Sequence, residues 1–192
     1  FINYSLVRLG VETIDLYQPC RMDNVVPVEE VIGTVADLIR EGKVRYLGVS
    51  EITAEQLRKA HSVYPVSALE IGYSLADRHL ERDLLPTARE LDIAVVAFAN
   101  TAEGLLGGEM KAPLPAGDYR NNFSRFQGDN LVKNLEKVEV LKTIAKKREC
   151  TPTQLAIAWV AAQGDDIMPL VSTNRRSRLQ ENIEAVGIAL TP

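Results

Sequence analysis

The sequence predicts an α/β protein built on a parallel sheet, and three observations point there. Short apolar runs alternate with amphipathic segments along the chain, the rhythm of strands joined by helical right-handed crossovers. One run, Ile93-Ala-Val-Val-Ala-Phe98, is almost continuously apolar, as a parallel strand covered on both faces would be. The 192 residues are 46% apolar and 25% charged, enough for a sizeable core.

Taken in order, residues 3–9 read as the end of an amphipathic helix, with Leu6 and Leu9 on one face and Gly10 closing it. Thr13-Ile-Asp-Leu-Tyr17 is a short strand, and residues 27–41 form a helix with Val28, Val31, Ile32, Val35, Leu38 and Ile39 at helical spacing before Gly42. Val44-Arg-Tyr-Leu-Gly-Val49 is the second strand. Thr53 then caps a helix that has Glu55 and Gln56 early and turns Leu57 and Ala60 inward. Residues 66–71 make a third strand, 82–91 a helix and 93–98 a fourth strand.

Residues 100–130, with Gly104, Gly107, Gly108, Gly117 and Gly128, are too long for a plain connection and read as a functional loop that is the least packed region. Arg120 and Arg125 are placed to tie it down. A helix over 131–148 follows. After the Thr151-Pro152 start comes a second over 153–162, with Leu155, Ala158, Trp159 and Ala162 inward. A fifth strand over 167–171 and a last helix over 176–186 complete the chain.

Strands alternating with helices fit either an open doubly wound sheet or a barrel, and five strands cannot close an eight-stranded barrel. The chain opens inside a helix without an initiating methionine, and Thr191-Pro192 is a helix start with no helix after it. The expectation is one partial domain over 1–192, cut at both ends.

The formal charge of -4, from 22 basic and 26 acidic residues, gives no basic excess for a phosphate backbone, so nucleic acid is not an expected partner. No apolar run approaches the roughly 18 residues of a membrane span, and no leader is visible. Cys20 and Cys150 lie far apart with no histidine beside them, which argues against a disulfide framework or a metal site. A reduced, cytoplasmic location is expected.

Several segments, in this order, carry a resemblance: Ser5-Leu-Val-Arg-Leu-Gly10, Ile14-Asp-Leu-Tyr17, Glu41-Gly-Lys-Val-Arg-Tyr-Leu-Gly-Val-Ser-Glu51, Tyr73-Ser-Leu75, Asn121-Asn-Phe-Ser-Arg-Phe-Gln-Gly128, Cys150-Thr-Pro-Thr-Gln-Leu-Ala-Ile-Ala-Trp159 and Arg178-Leu-Gln-Glu-Asn182. Together they resemble the aldo-keto reductase superfamily, in its bacterial and plant members with a long loop after the seventh strand. The resemblance implies an incomplete (β/α)8 TIM barrel, the fourth to eighth units, with about five parallel strands and outer helices. It implies NADP(H)-dependent reduction of small-molecule carbonyl compounds. The family's tyrosine, aspartate and lysine belong to the first three units, which this chain does not match. Its histidine position is Cys20, within Tyr17-Gln-Pro-Cys20-Arg-Met-Asp23, and a thiol is a weak donor. No catalytic residue is therefore assigned, no turnover is expected of this chain alone, and the unpaired sheet edges imply self-association. The alternative is a catalytically silent NADP(H)-binding or interaction barrel resembling potassium-channel β subunits.

The cofactor positions implied by the resemblance are Ser50, Glu51 and Glu70 for the nicotinamide carboxamide, and Phe98 for stacking. Ser172 and Thr173 would form the turn over the adenosine phosphate. Arg178 would meet the 2′-phosphate, and Glu181 and Asn182 the adenine. Where the family has Ser-Pro-Leu-Gly at the pyrophosphate, this chain has Ala99-Asn-Thr-Ala102 and then Glu103, a negative charge near the phosphates.

Other residues read as structural. Cys20 reads as a packed small side chain, Trp159 as core, Asp15 as a buried, hydrogen-bonded carboxylate, and His61 and His79 as surface groups. Arg175 and Arg176 read as a solvated helix start. Glu12, Asp23 and Glu51 lack metal-ligand spacing.

Overall fold

The computed structural model describes residues 1–22 and 25–190; Asp23 and the Thr191-Pro192 helix start lie outside the described residues. Five strands, β1 (Ile14–Tyr17), β2 (Val44–Ser50), β3 (Val66–Gly72), β4 (Ala94–Phe98) and β5 (Ile167–Pro169), form one open parallel sheet in sequence order. Among the described residues seven α-helices accompany them: α1 (Ile2–Leu9), α2 (Val28–Arg40), α3 (Ala54–Val63), α4 (Leu84–Glu90), α5 (Gly128–Lys147), α6 (Pro152–Ala161) and α7 (Arg176–Glu184). Each predicted strand and helix is present. The chain divides into two compact units, Phe1–Ile71 with His79–Val96, and Gly72–Arg78 with Ala97–Pro192.

In the first unit, β1 pairs with β2 through Ile14 opposite Val44 and Leu16 opposite Tyr46. β2 pairs with β3, bringing Ser50 opposite Glu70, after a register shift between Leu47 and Gly48. The shift has a visible neighbour, because a Cβ on Gly48 would overlap the Gln18 side chain. Helix α2 buries Val28, Ile32, Val35 and Ala36. Helix α3 opens with a complete capping box, in which Thr53 accepts from Gln56 N at 3.2 Å and Gln56 Oε1 accepts from Thr53 N at 2.9 Å. Its Leu57 and Ala60 are fully buried, and truncating Leu57 to alanine would cost about 2–5 kcal/mol.

Several burial expectations fail in this unit. Asp15 is exposed, not buried, and pairs with Arg45, because β1 is an outer strand of the sheet and has no strand on its free edge among the described residues. Cys20 is exposed rather than packed. Helix α1 ends at Gly10 in the left-handed conformation as expected, yet it buries no residue and leaves Leu9 64% exposed. His61 is not idle surface: its Nδ1 accepts from Val66 N at 3.3 Å.

In the second unit α6 is buried nearly all round, through Gln154, Leu155, Ala156, Ile157, Ala158 and Val160, the pattern of a central helix. It packs against α5, α7 and β5. Ala162, expected inward, is exposed at the helix end, and Trp159 is half-buried rather than core. The indole packs edge-on to Tyr73 at 5.4 Å, with the Arg78 guanidinium 5.2 Å over its ring. Strand β5 stops at Pro169, short of the expected Val171, since proline cannot donate to a ladder. Leu170 N nevertheless donates to Ala97 O at 2.7 Å.

The long loop is packed at its ends. Ala102, Leu105, Leu106 and Phe126 join Leu131, Val138, Leu141 and Leu155 in one apolar cluster, whereas residues 107–125 contain no buried residue. Strand β4 also departs from two-sided burial. Val95 and Ala97 are buried, and the alternating Ala94, Val96 and Phe98 are half-exposed.

Candidate cofactor pocket

A cavity of about 880 Å³ lies within the second unit, lined among others by Phe98, Asn100, Glu103, Glu109, Ser172, Arg178 and Asn182. The sequence between β4 and α5 shapes one wall. Ala99, Ala102 and Glu103 all take left-handed backbone conformations, with φ of 54°, 48° and 53°. Three such residues within five positions hold strain of the kind that clusters at ligand sites. Asn100, 3% exposed, pins this turn by donating from Nδ2 to Ala97 O at 2.9 Å and to Tyr73 O at 3.3 Å. Its Oδ1 is buried without a hydrogen-bond partner among the described residues.

Arg120 and Arg125 tie the loop down as expected. Arg120 clamps Asp118 through two nitrogens, at 2.9 and 2.6 Å, and donates to Glu103 O at 3.2 Å. The two-point clamp and the Arg120 backbone N–H hold the Asp118 carboxyl down to about 2. Arg125 reaches Asp77 at 2.7 Å and Glu103 Oε2 at 3.8 Å. The negative charge of Glu103 therefore faces a guanidinium and does not stand alone by the pocket.

The opposite wall is the start of α7. Thr173 Oγ1 accepts from Arg175 N at 3.2 Å, a turn that leads Ser172 into the cavity lining. The first turn of α7 has no side-chain cap and carries Arg176 and Arg178, an arrangement that favours an anion. Arg178 Nη2 donates to Glu109 Oε2 at 3.1 Å. Asn182, 8% exposed, lines the cavity one turn further along.

The nine residues singled out from the sequence thus fall into separate groups. Phe98, Ser172, Arg178 and Asn182 line this cavity; Thr173 and Glu181 are not among its lining residues. Glu181 is occupied elsewhere, its Oε1 accepting from the Thr151 hydroxyl at 2.6 Å. Ser50, Glu51 and Glu70 sit together in the first unit, where Glu51 N donates to Glu70 O at 3.0 Å. Ser50 is buried, and the Glu51 carboxylate is held by Arg21. Glu109, Asp118 and Asp77 were not visible in the sequence. Glu109 follows two glycines, and nothing local marks it as the partner of a residue 69 positions away.

Burial pushes the Cys150 thiol up, so it is an inert group packed near Ala145 O. No cluster of three or more His, Cys, Asp or Glu residues that could hold a metal occurs among the described residues. No described helix is long and apolar enough to cross a membrane.

Comparison with known proteins accords with this geometry. The profile of the Aldo/keto reductase family matches residues 1–192. A soybean (Glycine max) protein described as probable aldo-keto reductase 1 is 40% identical over 188 residues, 97% of this chain and 54% of that protein. The glycerol dehydrogenase AKR11B4 from Gluconobacter oxydans superposes with a TM-score of 0.93 at 32% identity, over 99% of this chain and 58% of that one. A thermostable aldo-keto reductase, Tm1743, solved with the inhibitor epalrestat, gives 0.79 at 25% identity, over 99% and 60%. The chain spans somewhat more than half the length of these relatives, and over that span it belongs to the aldo/keto reductase family.

Proposed function

We propose that this chain supplies the fourth to eighth β/α units of an NADP(H)-dependent aldo-keto reductase acting on small-molecule aldehydes or ketones, and that it does not turn over by itself. One observation supports the reading above others. Phe98 and the distant group Ser172, Arg178 and Asn182, all singled out from the sequence, line a single cavity. The donor set suits the cofactor's adenosine end, since an uncapped helix start and a guanidinium both favour a phosphate dianion. Phe98 offers a ring face for stacking, and the Asn182 amide offers both a donor and an acceptor. Ser50, Glu51 and Glu70 are proposed for the carboxamide. A bound nicotinamide would supply the hydride, and the proton donor would come from outside the described residues.

Titration calorimetry of NADPH and NADH into the chain tests the assignment. NADPH binds more tightly than NADH, and Arg178→Ala weakens NADPH alone by about tenfold, the low end for a charge-assisted contact because Arg178 is half exposed. Equal loss for both dinucleotides overturns it. A second reading, a catalytically silent NADP(H)-binding or interaction protein, draws on Cys20 standing at the family's histidine position. It requires that the chain, joined to the first three units of a relative, bind NADPH yet oxidise none of it with aldehydes.

A further inference from the structure

Arg178 and Glu109 present opposite charges to the same cavity. Their contact, 3.1 Å between Nη2 and Oε2, joins the first turn of α7 to the loop just after Gly107-Gly108. That loop leaves a short 3-10 turn, Leu105–Gly107, through Gly108 at φ 80°, where a Cβ would also press on Lys142 Cε at 2.9 Å and Pro152 Cγ at 3.3 Å. The backbone leading to Glu109 is thus held against α5 and the start of α6. The side chains themselves stay open to solvent, 49% exposed for Arg178 and 84% for Glu109. A pair so exposed adds little to stability and can part when a stronger anion arrives.

The two groups recognise different riboses. A guanidinium grips a 2′-phosphate through two nitrogens, whereas a carboxylate accepts from an unphosphorylated 2′-hydroxyl and repels a phosphate. We propose that Glu109 is a specificity-determining residue of this pocket. It neutralises Arg178 in the empty site, must be displaced by a 2′-phosphate, and so narrows the preference for phosphorylated over unphosphorylated dinucleotide. This rests on the adenosine-pocket reading above. A dianion still outcompetes a single carboxylate, so the preference keeps its direction and loses size. Screening by salt acts on both the pair and the phosphate contact, because neither is buried.

Adenosine 2′,5′-bisphosphate and adenosine 5′-monophosphate, titrated calorimetrically into the chain, Glu109→Gln and Arg178→Ala, separate the possibilities. Both side chains are exposed, and circular dichroism checks that the variants keep the parent fold. Glu109→Gln tightens the bisphosphate threefold to tenfold and leaves the monophosphate unchanged or slightly weaker, and Arg178→Ala brings the two ligands to equal affinity. An unchanged bisphosphate-to-monophosphate ratio in Glu109→Gln, with the ratio collapsing in Arg178→Ala, overturns the role of Glu109 and leaves the pocket standing. A ratio that survives Arg178→Ala, or no binding of either ligand to the parent chain, overturns the pocket reading and this proposal with it.

Discussion

Removing the Thr151 hydroxyl should destabilise the second unit by about 2 kcal/mol, from two hydrogen bonds made by one oxygen. Thr151 Oγ1 accepts from Gln154 N at 3.1 Å, half of the capping box that starts α6, and donates to Glu181 Oε1 at 2.6 Å. Losing an N-cap costs typically about 1 kcal/mol. The solvent-facing bond to a carboxylate adds roughly 0.5–1 kcal/mol. For a chain of this size each kcal/mol lowers Tm by about 2–4 °C, so Thr151→Ala should fall about 3–8 °C. Thr151→Ser keeps the hydroxyl and should recover most of the loss. Urea unfolding followed by the fluorescence of Trp159, the single tryptophan and a residue of α6, reads this unit directly. The double-mutant cycle with Glu181→Ala should return a coupling of about 0.5–1 kcal/mol. A Thr151→Ala chain within about 0.3 kcal/mol of the parent, or additive single losses, would refute the assignment of Glu181 to the helix start and leave it available for the adenine contact implied by the resemblance.

Cys20, which is exposed, should react with iodoacetamide well before Cys150, which is partly buried with its thiol pushed up; mass spectrometry finding Cys150 alkylated first would contradict the structure. Asp118, lowered from 3.8 to about 2 by Arg120, contributes its tie fully above about pH 4 and loses it as pH falls through about 2. An NMR titration of its carboxyl with a midpoint near 4 would show the Arg120 clamp to be absent in solution. The isolated chain should self-associate, because α1 exposes Tyr4 at 65%, Val7 at 80% and Leu9 at 64%, and β1 is an outer strand of the sheet. Sedimentation of a single 21.2 kDa species at micromolar concentration would count against that.

The element order was legible because the crossovers repeat one short pattern, an apolar strand and then a helix of periodic apolar residues. Thr53 and Thr151 announced their helices, and both make full capping boxes. Burial was less legible, for a physical reason. Apolar periodicity tells which face a residue is on but not whether anything covers that face. Asp15, Leu9 and the half-exposed face of β4 all look inward by pattern, and each lies on a surface that no described residue covers fully. Strand β5 was overrun by two residues because Leu170 and Val171 continue the apolar run, although the strand ends at Pro169 and only the Leu170 N–H carries on to Ala97 O.

At the candidate pocket, legibility followed sequence distance. Arg178 and Asn182 lie one turn apart on α7, so a single motif revealed both. The charges that govern them come from far away in the chain. From the sequence, Glu103 is the acidic residue that threatens phosphate binding, but in the fold it is flanked by Arg120 on its carbonyl and Arg125 near its carboxylate. Glu109 looks like an ordinary loop charge, and it is the carboxylate that reaches the Arg178 guanidinium, the group proposed here to meet the phosphate. A carboxylate that shares a nearby arginine adds less net charge to a pocket than one standing alone, whereas one that takes the arginine proposed for the ligand removes the charge on which that recognition would depend. On that ground the phosphate preference proposed for this pocket should be governed at position 109 more than at 103, the reverse of what the order of the motifs suggests.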